Sequence, residues 1–132
     1  MDHPIITKIV EQGVDSVNVT MISADLRKKL LTEAGNILMH KNKYKEAARA
    51  YFVGNNTELL QEQGKWFLEQ KKPGIAAYFL LYIESEQVLK DLAQECIQTN
   101  NLEAAHAVYE KLGDKTMIEF LNQNFEFLQK KE

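Results

Sequence analysis

Residues 43–56 read KYKEAARAYFVGNN. The stretch suits one short helix, with Ala47, Ala48 and Ala50 where a core helix ordinarily carries bulk. Alanine is the strongest helix former, but it offers little surface to bury. A helix built this way needs a close neighbour. Small residues let two helix axes approach to the short end of the usual ~8–10 Å separation.

The neighbour emerges when the chain is slid along itself. Ala47 stands in KEAARAY, Ala76 in PGIAAYF and Ala105 in NLEAAHAVY, so the spacings 76 − 47 and 105 − 76 are both 29. The same shift aligns Gly35, Gly64 and Ala93, all small, and Leu31, Leu60, Leu89 and Ile118, all branched. It aligns Leu38, Phe67, Cys96 and Phe125, and then Tyr51, Leu80 and Tyr109. Asn56, Ser85 and Asp114 also align, each a favoured helix N-cap. A period between ~20 and 50 residues marks stacked repeat units.

Each copy divides into two helices at a polar break: HKNK at 40–43, QKKP at 70–73 and QTNN at 98–101. Asn42 and Asn100 suit a left-handed residue closing a helix, and Pro73 suits a first helical turn. Helices are expected near 24–40, 44–54, 57–70, 73–84, 86–98, 102–112 and 115–130. The expected fold is all-α: a right-handed α-α superhelix of three helical hairpins with a 29-residue period, plus a C-terminal capping helix, over residues 23–132. Ala47, Ala76 and Ala105 are expected to meet Gly35, Gly64 and Ala93, while Tyr51, Leu80 and Tyr109 reach the next copy. Residues 1–22 lie outside the period. PIITKIVEQG suits a short helix from Pro4 to Gln12, followed by a linker in which VNVTMI at 17–22 alternates like a strand.

The series Leu31, Ala34, Gly35, Leu38, Tyr44, Ala47 and Tyr51 resembles the tetratricopeptide repeat. The resemblance is good over 28–54 and fair over 57–83 and 86–112. It departs in three respects: the period is 29 where that unit has ~34, the closing proline is missing, and the tryptophan column holds Leu31, Leu60 and Leu89. The shorter unit, with Tyr51 to Asn55 and Tyr109 to Asp114 after the second helix, resembles clathrin heavy-chain-type repeats equally. Both resemblances imply a surface for other proteins and no enzymatic activity. Some tetratricopeptide proteins grip a C-terminal carboxylate. Here Asn36 matches that pattern, but Thr32 stands where a lysine belongs, Glu62 where an asparagine belongs and Asp91 where an arginine belongs.

Composition narrows the classes further. The chain has 132 residues, 45% hydrophobic and 27% charged, with a net charge of −3. That balance argues against a nucleic-acid footprint, which shows as a basic excess. The basic groups Arg27-Lys28-Lys29, Lys41-Lys43-Lys45, Lys71-Lys72 and Lys130-Lys131 are separate, and several fall where cations complement a helix C-terminus. A weak RNA-binding face would need them on one surface. The lone Cys96 sits in an apolar column, which reads as packing. His3, His40 and His106 share no metal-ligand spacing, and no glycine-rich phosphate loop or catalytic constellation is present, so no cofactor is expected. With no membrane span and no signal peptide, a cytoplasmic protein is the expectation.

In a stacked-hairpin solenoid the first helices line the concave face. The expected partner-binding groove is therefore Lys29, Thr32, Asn36 and Met39, then Glu58, Gln61, Lys65 and Leu68, then Gln87, Lys90, Gln94 and Ile97. It is mixed in charge and rich in glutamine, which suits a polar or amphipathic segment of another protein; the plainer reading is a solvated face. On the last helix, Phe120 and Phe127 stand apart from the core stripe and suit packing on the N-terminal segment or a homodimer contact.

Overall fold

A computed structural model describes residues 3–124. Within them the chain is all-α, with no strand. The helices are α1 (Pro4–Gln12), α2 (Ala24–His40), α3 (Tyr44–Val53), α4 (Thr57–Glu69), α5 (Pro73–Leu80), α6 (Glu86–Gln98), α7 (Leu102–Leu112) and α8 (Lys115–Asn124). The expected continuation of α8 toward residue 130 and Phe127 lie outside the described residues.

The turn chemistry behind these boundaries recurs at the interval seen in the sequence. Asn42, Lys71 and Asn100 all adopt left-handed backbone, with φ of 60°, 61° and 62°. After α2, the Lys43 N–H donates to the Leu38 carbonyl and the Asn42 N–H to that of Met39. Lys72 and Lys71 repeat the pair onto Phe67 and Leu68, and Asn101 and Asn100 onto Cys96 and Ile97. This double bond onto the last helical turn is the Schellman closure. At the other end, the side chains of Asn56, Ser85 and Asp114 accept from the backbone N–H three residues on, at 3.2, 3.4 and 3.1 Å. Each thereby caps one of the donors a helix start leaves unpaired.

Residues 17–22, read as a linker that alternates like a strand, form no strand. Asn18 accepts from Thr20 N–H at 3.1 Å and nucleates a 3-10 turn at Val19–Met21 instead, because a single alternating segment has no partner to pair with. The fifth helix stops at Leu80 rather than near 84. α3 and α7 close on left-handed Asn55 and Gly113, but the aligned residue is Glu84, which adopts that conformation poorly. The chain turns earlier instead, with Ile83 N–H donating to the Leu80 carbonyl.

The chain divides into two compact units, Met1–Glu62 and Gln63–Glu132. In the first, α2 packs on α3 and on α1, burying Ile6, Ile9, Leu31, Ala34, Leu38, Ala47, Ala48, Ala50 and Tyr51. Asp15 and Arg49 form an exposed ion pair at 3.1 Å. In the second, α6 packs on α5 and α7, and α7 on α8. Its core holds Phe67, Ala76, Phe79, Leu80, Leu89, Leu92, Cys96, Val108 and Leu121, with Phe67 stacked on Phe79 at 5.8 Å.

The atoms nearest to a side chain placed on Gly35 belong to Tyr51, and those nearest to one on Gly64 belong to Leu80 and Phe79. A Cβ on Gly35 would stand 2.7 Å from Tyr51 Cδ1 and 2.9 Å from Cζ. One on Gly64 would stand 2.5 Å from Leu80 Cγ. Tyr51 and Leu80 thus pack onto the glycines of their own helix pairs. A glycine surface without a side chain seats a ring or a branched group, which buries more apolar area than an alanine there would.

Candidate functional site

The polar faces of the first helices border three recesses. In the first unit, Ser23, Asp25, Leu26, Lys28, Lys29, Thr32, Glu33 and Asn56 line one of about 650 Å³. In the second unit, Lys65, Leu68, Glu69, Lys71, Val88, Asp91 and Glu95 line one of about 350 Å³. Lys90, Gln94, Ile97, Gln98, Tyr109, Asp114 and Met117 line another of about 520 Å³.

Seven residues of the expected groove thus fall on recess walls: Lys29 and Thr32 on the first, Lys65 and Leu68 on the second, and Lys90, Gln94 and Ile97 on the third. Several are already engaged. Tyr51 hydroxyl donates to Asn36 Oδ1 at 2.6 Å, and Asn56 Nδ2 donates to Thr32 Oγ1 at 3.0 Å. Gln87 Nε2 donates to Asp91 Oδ1 at 2.9 Å, and Lys90 pairs with Glu86 at 2.9 Å. Met39 is half-buried, Glu58 exposed and Gln61 half-buried.

Tyr109, Asp114, Gln98 and Met117 were outside the expected groove, yet they complete the third recess. The signal was present in the aligned columns, where Ala93 replaces the glycine of the other copies. Ala93 carries the Cβ that would collide with a tyrosine seated as Tyr51 is. Tyr109 is accordingly only half-buried. Its hydroxyl holds its proton above the usual tyrosine range, through burial first, then the Asp114 carboxylate and the Cys96 thiol.

Cys96 is buried, and burial, then Glu95, pushes its thiol up to about 11. A thiol held protonated is a poor nucleophile. His3 Nδ1 accepts from Ile5 N–H and caps α1, while His106 Nδ1 lies 3.0 Å from Glu110 Oε1 one turn along α7. Among the described residues, no three histidine, cysteine or acidic side chains gather as a metal site. No helix of the described residues is long and apolar enough to cross a membrane. Trp66 is 52% exposed, edge-on to Phe67 at 5.0 Å, and Phe120 is 50% exposed on α8 beside buried Leu121. Comparison with family models, curated proteins and solved structures finds no match.

Proposed function

We propose that the chain is a protein-interaction scaffold: three helical hairpins in a right-handed superhelix, ended by α8, holding a segment of another protein on the first-helix faces. The observation that carries this reading is that residues expected at the groove border open recesses on helices whose other faces are tightly packed. Rigid helices present such a surface already ordered, so a ligand gives up little of its binding energy to arranging it. The mixed charge of the walls suits a polar or amphipathic polypeptide better than a polyanion. The tetratricopeptide-like and clathrin-like columns point the same way, and a cytoplasmic setting agrees with the lone buried thiol.

The full chain, immobilised and exposed to lysate of its source cells, should retain a defined set of proteins. A variant carrying Lys90→Glu and Gln94→Ala should lose them. Retention of nothing, or of the same set by both, would remove the reading. Half-exposed Phe120 favours a second reading, a subunit that associates with itself. Sedimentation equilibrium separates the two: a dimer that Phe120→Ala converts to monomer supports self-association, and a monomer at all concentrations ends it.

A further inference from the structure

We infer that the recess among α6, α7 and α8 is the peptide seat, and that it takes an extended, uncharged stretch of another protein carrying one aliphatic side chain. This rests on the scaffold reading and gives it a location.

The argument comes from two sets of columns 58 residues, or two periods, apart. In the α2–α3 pair, Tyr51 donates to Asn36 and Asn56 donates to Thr32. These four side chains satisfy one another. The aligned residues are Tyr109, Gln94, Asp114 and Lys90, and there the network is open. Neither the Tyr109 hydroxyl nor the Gln94 carboxamide hydrogen-bonds a described residue. Lys90 turns back to Glu86, and Asp114 caps Met117 N–H through one oxygen. Three of the four side chains differ, Gln94 for Asn36, Asp114 for Asn56 and Lys90 for Thr32, and beneath the ring Ala93 carries a Cβ where Gly35 has none.

What is left unpaired defines the occupant. Tyr109 and Gln94 offer donors, while Asp114 and the glutamine carbonyls offer acceptors. The lining carries one cation, Lys90, and one carboxylate, Asp114, so neither an acidic nor a basic segment gains from it. An extended backbone presents alternating N–H and C=O groups, repeating each ~6.6 Å along one edge. Gln94 and Gln98 lie one helical turn apart, ~5–6 Å between Cβ atoms, so their carboxamides can meet successive groups on that edge. Ile97 and Met117 supply an apolar patch for one aliphatic side chain, and the flexible thioether adapts to its shape.

A phage-displayed library of unconstrained random peptides, selected on the full chain, provides the probe. Selected peptides are titrated by fluorescence anisotropy against the parent chain and the Gln94→Ala, Ala93→Gly and Lys8→Ala variants. Circular dichroism checks that each variant is folded. Gln94→Ala should weaken binding ~10-fold, the scale of one lost carboxamide hydrogen bond and its stranded partner. Ala93→Gly should weaken it similarly, because Tyr109 can then sink as Tyr51 does and shut the recess. Lys8→Ala, at an exposed position of α1 outside the recesses, should leave affinity unchanged. Equal binding to all four proteins overturns this seat and leaves the scaffold reading intact. Failure to select any peptide overturns both. If Gln94→Ala instead changes the sedimenting mass without altering peptide affinity, the recess belongs to a second copy of the chain and the inference falls.

Discussion

The α2–α3 and α6–α7 pairs are built from the same columns, yet one is sealed and the other open. In the first, Tyr51 is fully buried over Gly35 and bonded to Asn36. In the second, Ala93 stands in the glycine's place and half-buried Tyr109 borders a recess. The turns and the N-caps are alike in both. The difference teaches that helix positions can be specified by capping and left-handed closures, while the surface between helices depends on a few side chains. Where glycine admits the ring, Tyr51 is core and bonded to Asn36. Where alanine stands and the polar neighbours differ, Tyr109 stays half-buried beside a recess.

The largest test of the contrast is truncation of the two tyrosines. Tyr51→Ala removes a fully buried ring and should cost ~3–5 kcal/mol in urea denaturation, the range for emptying an aromatic core site. Tyr109→Ala removes a half-buried ring and should cost no more than ~2 kcal/mol. Equal losses would mean that the two pairs are packed alike after all. Gly35→Ala comes next. Its new methyl meets the Tyr51 ring at sub-contact distance, an overpacking of ~1–3 kcal/mol, offset by ~1 kcal/mol of helix propensity. A net loss of up to ~2 kcal/mol is expected. A gain would show that the ring can be moved without cost.

Much of this was legible before the structure. The period, the helix starts at Asn56, Ser85 and Asp114, and the left-handed Asn42 and Asn100 follow from local chemistry, which a sequence states directly. The partner of each small residue did not, because two alignments of facing helices satisfy the same columns. Only the backbone distance decides whether Gly35 receives Ala47 or Tyr51. The early end of α5 was hidden for a related reason. Glu84 was visible as a poor closing residue, but whether the chain would strain it or stop short is an energy balance, not a pattern. Of the site, the helix faces were legible; the walls contributed by Tyr109, Asp114 and Met117 depended on packing.

A middle-sized effect should appear in alkali. Burial pushes Tyr51 up to about 12 from an ordinary 10.0, and Cys96 to about 11 from 9.0. In each case the unfolded chain releases its proton first as pH rises. Stability is therefore whole at neutral pH, declines above pH 9 through Cys96, and above pH 10 through Tyr51 as well, until each folded group also ionises near 11 and 12. The full loss is on the order of 3 kcal/mol per group. Tyr51→Phe costs ~1 kcal/mol at every pH through the missing hydrogen bond, but should flatten the decline above pH 10. Urea midpoints that fall as steeply in Tyr51→Phe as in the parent would place the ionising group elsewhere. Tyr109, more exposed, should contribute less.

The smallest effect sharpens the comparison of turns. Asn42, Lys71 and Asn100 share left-handed backbone, but asparagine tolerates it and lysine does not, at ~1–2 kcal/mol for an unsuited residue. Lysine is held there by the closure that all three copies share: Lys72, like Lys43 and Asn101, leaves the helical region, at φ −121°, ψ 64°, and its N–H donates to the Phe67 carbonyl. Lys71→Asn should therefore stabilise the chain. Against that gain stands the Lys71–Glu95 ion pair at 2.9 Å, whose lysine is 70% exposed and whose worth is ~0.2–0.5 kcal/mol. The expected balance is a gain of ~0.5 kcal/mol, and Asn42→Lys should lose ~1 kcal/mol. If Lys71→Asn and Lys71→Gly both destabilise, the pair with half-buried Glu95 outweighs the backbone cost. The lysine would then be chosen for its charge over the recess it lines rather than tolerated at the turn.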